Sequence, residues 1–268
     1  ASDVYKRQVQ EWGPLVRESA KLMRSVTKDA KLFAAATSDK NWTMPLLREA
    51  GPYLDYIAIH GYWDPLFHVN NPAPFLKCMM KTDAPERDIQ RAIGILDEAG
   101  FGGGKIKIAY DERNLRNWHH PWHGDLRRGF DLEARRKNDI ASTYTMADAL
   151  FSACFLNACL RHSDVVDVAC FAPIVNTRGP IFVHPDGIVK RTTFYVFKMY
   201  TNGLEDYMLP VALEAERLTK GNQSTAVFDV VLTGNADGTR YVYAVVNKDP
   251  EKSHALTLDF KSLGVKEP

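Results

Sequence analysis

Helical and extended segments alternate from Trp12 to Gly203, and this order restricts the possible folds more than any single motif does. Leu15, Val16, Ala20, Leu22, Met23 and Val26 recur at helical spacing, with Arg17, Lys21, Arg24 and Lys28 elsewhere on the wheel. A short apolar run at 31–37 reads as a strand, 44–50 as a helix, 53–60 as a strand and 87–99 as a helix. The strand at 105–112 follows, then a helix at 143–161, a strand at 165–172 and a helix at 192–200. Parallel strands need long crossovers, and helices laid outside a sheet supply them. Four strands joined in this way predict half of an eight-stranded (β/α)8 TIM barrel. Beyond Gly203 the pattern changes to short strands at 226–232, 241–247 and 255–260, with Asn235-Ala236-Asp237-Gly238 as a hairpin turn. The fold class expected is therefore α/β, half a barrel over residues 9–204 and part of an antiparallel β-sandwich over 205–268.

With 34 Lys and Arg against 33 Asp and Glu, the chain carries no global field to attract nucleic acid or an anionic membrane, and neither is expected as a partner. Apolar runs such as 165–175 are interrupted by Asp167 and Pro173 and are too short for a membrane span. Cys78, Cys154, Cys159 and Cys170 lack CxxC spacing and read as buried thiols. Residues 1–8, Ala1-Ser2-Asp3-Val4-Tyr5-Lys6-Arg7-Gln8, show no periodicity and resemble a translated adapter. They are read as a non-native tag, which leaves the compartment open.

Polar or aromatic residues follow each strand, where a barrel places its active site. Asp39, Asn41 and Trp42 follow the first, and His60, Tyr62 and Trp63 the second. Asp111, Glu112 and Asn114 follow the third, and Asn176 and Arg178 the fourth. Glycoside hydrolysis needs two carboxylates at the scissile bond, which singles out Glu112; Arg113 and Arg116, if close in space, would favour its ionised form. The bland alternative is that Asp111 and Glu112 cap a loop or pair with arginine. His119, His120, His123 and Asp125 sit in a loop-like context without the rigid spacing that metal sites often use, so no metal is assigned. Gly100 to Gly104 precedes a strand and reads as a turn, whereas a phosphate cradle follows one; no cofactor is expected.

Asp111-Glu112-Arg113-Asn114 after an Ile-rich strand, His60-Gly61-Tyr62 ending the strand before it, Leu160 to Asp164, Ala172 to Asn176 and Thr192 to Tyr195 keep one order along the chain. Together they resemble glycoside hydrolase family 51, the α-L-arabinofuranosidases. The resemblance implies the C-terminal half of the barrel, and retaining hydrolysis of arabinofuranosyl groups from arabinose-containing polysaccharides or oligosaccharides. It implies Glu112 as nucleophile, with His60, Tyr62, Trp63, Asn114, Trp118 and Asn176 in the substrate shell, and an oligomer for the complete protein. Arg113 and Arg116 stand where the family carries tryptophans, which motivates an alternative substrate, a xyloside or a glucan. The family's Gly-Asn-Glu motif, source of the acid/base carboxylate, does not occur in this sequence. The 268-residue chain alone is therefore expected to be inactive and poorly soluble, and a non-catalytic carbohydrate-binding barrel is the remaining alternative.

Overall fold

The computed structural model describes residues 9–65, 73–117, 144–176 and 178–261. Helix α1 (Val9–Val26) leads to strand β1 (Phe33–Ala35), helix α2 (Lys40–Ala50) and strand β2 (Tyr56–Pro65). Helices α3 (Phe75–Met79) and α4 (Ala84–Glu98) precede strand β3 (Lys107–Asn117); helix α5 (Met146–Arg161) and strand β4 (Val166–Ala169) complete the repeat. The four strands form one parallel sheet in chain order, β1-β2-β3-β4. The alternation read from the sequence is thus present as βα units.

Local chemistry explains where several elements begin. The Asp39 side chain accepts from the Asn41 N–H and caps α2, so that helix starts at Lys40 rather than at the expected Met44. Thr145 and Asp148 form a reciprocal capping box that starts α5. The turn into β3 uses positive φ at Gly100, Gly103 and Gly104.

Leu46, Leu47, Ile57, Ile59, Ile89, Ile108, Phe151 and Phe155 are buried in one cluster between sheet and helices. Burying each side chain of this size contributes roughly 1.5–3 kcal/mol. Helix α5 is apolar all round because it is covered on two sides. Phe151 and Phe155 join that cluster, while Ala149, Ala153 and Cys154 meet Val196 and Val246 on the other side.

After β4 a hairpin of strands β5 (Ile181–His184) and β6 (Gly187–Lys190) precedes helix α6 (Thr192–Gly203). Strand β7 (Tyr207–Leu209), the hairpin β8 (Arg217–Lys220) and β9 (Gln223–Ala226), and strands β10 (Phe228–Gly234) and β11 (Tyr241–Asn247) follow. Strands β10 and β11 pair antiparallel about the expected turn, with Gly238 at φ 69°, and β7 adds to the other side of β10.

Two expectations are corrected, and two hairpins are added to them. The stretch 255–260 forms no strand; just before it, His254 contacts Asp249 at 2.8 Å. The β5–β6 and β8–β9 hairpins escaped notice because their strands are four residues long and mostly exposed. Of the four cysteines, Cys170 is exposed; the other three are buried, and burial pushes the Cys159 thiol up to about 12.

Candidate active site

The motif Asp111-Glu112-Arg113-Asn114 lies inside β3, not after it, because the strand continues to Asn117 beside an equally extended β2. Register pairs are Ala58 with Ala109, His60 with Glu112, Tyr62 with Asn114 and Asp64 with Arg116. Between the first two pairs β2 advances two residues and β3 advances three, so β3 carries a bulge at Tyr110-Asp111. The extra residue resets which side chains face which way. Tyr110 and Arg113, an odd number of residues apart, both pack on Phe155 of α5, at ring centroid distances of 4.9 and 4.2 Å. Glu112 is released to the opposite face.

There the Tyr62 hydroxyl donates a hydrogen bond to Glu112 Oε1. His60 Nδ1 lies 3.6 Å from Glu112 Oε2, and His60 Nε2 lies 3.1 Å from Asp111 Oδ1. The Glu112 side chain retains 31% exposure, enough to be approached by a ligand. A carboxylate with one oxygen fixed by a phenol and the other facing an imidazole is oriented without being sealed off, the state a nucleophile requires.

The structure gathers His60, Tyr62, Asp111 and Glu112 and distributes the other candidates elsewhere. Trp63 is corrected from substrate contact to core. Its ring packs on Phe151 and Phe155 at 5.1 and 6.1 Å, and its indole N–H reaches Asp88 at 3.4 Å, because strand alternation sends it away from Tyr62. Gly61 permits that packing, since a Cβ there would lie 2.3 Å from the Trp63 ring. Asn114 is buried, and its amide donates to the carbonyls of Ala172 and Arg178 at 3.3 and 3.2 Å. It therefore ties the loop after β4 to β3. Asn176, at φ 57°, accepts the Val183 N–H at 2.8 Å and shapes the β5 hairpin. Asp39 serves as a helix cap and Asn41 and Trp42 lie on α2. Trp118 lies outside the described residues, as do Trp122, His119, His120, His123 and Asp125.

Neither arginine contacts Glu112 in the way expected of them. Arg113 is fully buried, donates to Ser152 Oγ at 2.9 Å and lies over Phe155, Phe171 and Phe197, while its Nε and Nη2 have no hydrogen-bond partner. Burial pushes its guanidinium down to about 9, and the aromatic faces supply part of the missing solvation. Arg116 is buried between Asp64 at 2.5 Å and Asp148, which it meets through Nε and Nη2 at 2.8 and 3.0 Å. Asp64 and Asp148 were not singled out from sequence, although the Thr145-x-x-Asp148 spacing is a legible capping signal.

Among the described residues no group of three or more His, Cys, Asp or Glu is placed to hold a metal, and no helix is long and apolar enough to cross a membrane.

On the helix side, Glu86 pairs with His162 and, at 2.9 Å, with Arg161. Burial raises its pKa, but His162 and Arg161 together outweigh that and hold the carboxyl below its ordinary value. Asp64 behaves alike: burial opposes its ionisation, and the Ala73 N–H, Arg116 and Lys81 overcome it. A depressed folded pKa means that these groups stabilise the fold fully above their unfolded values, about 4, and progressively less as pH falls through the folded ones. The urea midpoint is expected to decline below about pH 4.5, and Glu86→Gln to remove part of that decline while costing stability at pH 7. Titrating urea midpoints from pH 7 to 3 checks both.

A family model described as "Alpha-L-arabinofuranosidase C-terminal domain" matches residues 117–267, more than half of the chain. The chain belongs to the family of α-L-arabinofuranosidase C-terminal domains. It is 30% identical over 199 residues to an intracellular exo-α-(1→5)-L-arabinofuranosidase of Streptomyces lividans, covering 70% of this chain and 29% of that one. To the Acetivibrio thermocellus enzyme of the same name it is 25% identical over 271 residues, covering 94% and 52%. Among solved structures, a family 51 α-L-arabinofuranosidase from Bifidobacterium longum superposes with a TM-score of 0.76 at 21% identity, over 91% of this chain and 51% of that one. An arabinose complex of the Thermotoga maritima α-L-arabinofuranosidase gives 0.73 at 21% identity, over 90% and 48%. The chain thus spans about half of these relatives' length or less, and the structural likeness shows a shared fold.

Proposed function

We propose that residues 9–204 are the C-terminal half of a (β/α)8 catalytic barrel and 205–268 part of a β-sandwich, in a retaining α-L-arabinofuranosidase whose nucleophile is Glu112. The observation that carries this reading is the Tyr62–Glu112–His60 cluster on adjacent parallel strands. Family membership supports the substrate class, and the relatives' names point to terminal α-L-arabinofuranosyl groups of arabinose-containing polymers or oligosaccharides.

In this reading Glu112 attacks the anomeric carbon. The bond to the leaving oxygen breaks, that oxygen takes a proton from a second carboxylate, and a glycosyl ester forms on Glu112. Water activated by the same second carboxylate then releases arabinose with retained configuration. The Tyr62 phenol holds one Glu112 oxygen so that the other is presented to carbon, and His60, braced by Asp111, limits rotation of the carboxylate. Asp111 contacts His60, and no residue of this chain is assigned as the proton donor.

The xyloside or glucan alternative was motivated by Arg113 and Arg116. Arg113 is buried on the opposite side of β3 and Arg116 is buried in its ion pairs with Asp64 and Asp148, so that motive falls away. To test the reading, the longest natural chain containing these residues is incubated with a 2-fluoro-α-L-arabinofuranosyl fluoride and its peptides are weighed. An adduct on the peptide bearing Glu112 is expected. Turnover with the label on another carboxylate would overturn the assignment, and binding without any label would favour a non-catalytic barrel.

A further inference from the structure

We propose that Arg116, Asp64 and Asp148 form a positioning clamp that holds Tyr62 against Glu112. The proposal rests on the reading of Glu112 as nucleophile and adds three residues that contact no substrate.

The clamp lies two register pairs beyond Glu112. Pairs run His60 with Glu112, Tyr62 with Asn114, then Asp64 with Arg116. Arg116 Nη1 meets Asp64 Oδ2 across the two strand ends at 2.5 Å, and its Nε and Nη2 grip both oxygens of Asp148 at the start of α5. Side-chain exposures are 1, 6 and 2%. Asp148 also accepts the Thr145 N–H at 2.8 Å, so the same carboxylate fixes the helix start. Asp64 also accepts the Ala73 N–H at 3.1 Å and faces Lys81 Nζ at 3.5 Å.

Burying three charges is a poor route to stability, because well-packed apolar side chains of similar volume stabilise as much or more. A bidentate guanidinium offers direction instead: it fixes where its partners sit. Here Arg116, on the strand carrying Glu112, fixes the strand carrying Tyr62 and the helix whose Ser152 holds the neighbouring Arg113. The Tyr62–Glu112 hydrogen bond crosses between the same two strands, so its geometry depends on how firmly the clamp holds their ends against each other and against the helix.

The test uses the longest natural chain with Arg116→Lys, which keeps the charge but loses the fork, and the triple variant Asp64→Asn/Arg116→Met/Asp148→Asn, which removes all three charges. Active sites are counted by the fluoro-arabinosyl label, and adduct formation is timed per labelled site. Formation is expected to slow by about 10- to 100-fold in the triple variant and by less in Arg116→Lys, while inhibition by free arabinose is unchanged. A folded variant that takes up no label is the extreme of the same result. Variants that lose thermal stability while each labelled site reacts at the wild-type rate overturn the clamp, as does unfolding of both. A wild-type label on a residue other than Glu112 sinks the nucleophile reading first; a label on Glu112 at unaltered variant rates sinks the clamp alone.

Discussion

In the longest natural chain containing these residues, replacing Glu112 by Gln is expected to lower turnover of an aryl α-L-arabinofuranoside by four orders of magnitude or more, since removing a nucleophile costs on the order of 10^4- to 10^6-fold. Glutamine keeps the volume and still accepts from Tyr62, so the fold and the arabinose affinity should hardly change. The amide is too weak a nucleophile to displace the leaving oxygen. Glu112→Ala opens a second route: with a good leaving group and added azide, the anion occupies the space of the lost carboxylate and attacks the anomeric carbon directly. The product should then be the arabinofuranosyl azide of inverted configuration, identified by proton NMR. Full turnover by Glu112→Gln would remove this residue from the chemistry, and an azide of retained configuration would place the nucleophile elsewhere.

Phe155→Ala should be the most disruptive single truncation on the helix side of the sheet. Phe155 is wholly buried, and its ring meets Tyr110 edge-on, Trp63 at 6.1 Å and the Arg113 guanidinium at 4.2 Å. Phe to Ala in such a core costs about 3–5 kcal/mol from lost transfer energy and the cavity left behind. The loss should exceed that of Phe171→Ala, because Phe155 packs on both sides of the β3 bulge whereas Phe171 meets Arg113 from one side only. Urea titration reads both variants; a shifted midpoint at unchanged slope attributes the loss to the native state. A cost under about 1 kcal/mol would show that the cage around Arg113 collapses onto the gap.

The alternation of helices and strands was legible because each segment carries one unambiguous period, and the parallel order of the sheet follows from it. Glu112, His60 and Tyr62 are legible because three unlike polar groups follow the apolar parts of two strands, although both strands run on beyond them. What stayed hidden was facing. Arg113 adjoins Glu112 in sequence, and strand alternation for that very reason sends it among phenylalanines on the other side. Trp63 faces away from the site for the same reason, because it adjoins Tyr62. Asp64 and Asp148 were missed because their partner, Arg116, lies far away in sequence and only the pairing of β2 and β3 and the approach of α5 bring them together. The short hairpins lacked enough buried alternation to declare themselves.

The bulge at Tyr110-Asp111 makes the length of β3 as informative as its composition. Shortening it by one residue would turn the strand half a step, driving a carboxylate into the aromatic cage and swinging a guanidinium out toward the sugar. Both errors arise from a change that alters no side chain beyond the one removed. Substitutions along this strand can fail one at a time, whereas a frame slip fails on both faces of the sheet together, so β3 behaves as a ruler whose zero is set by its irregular step.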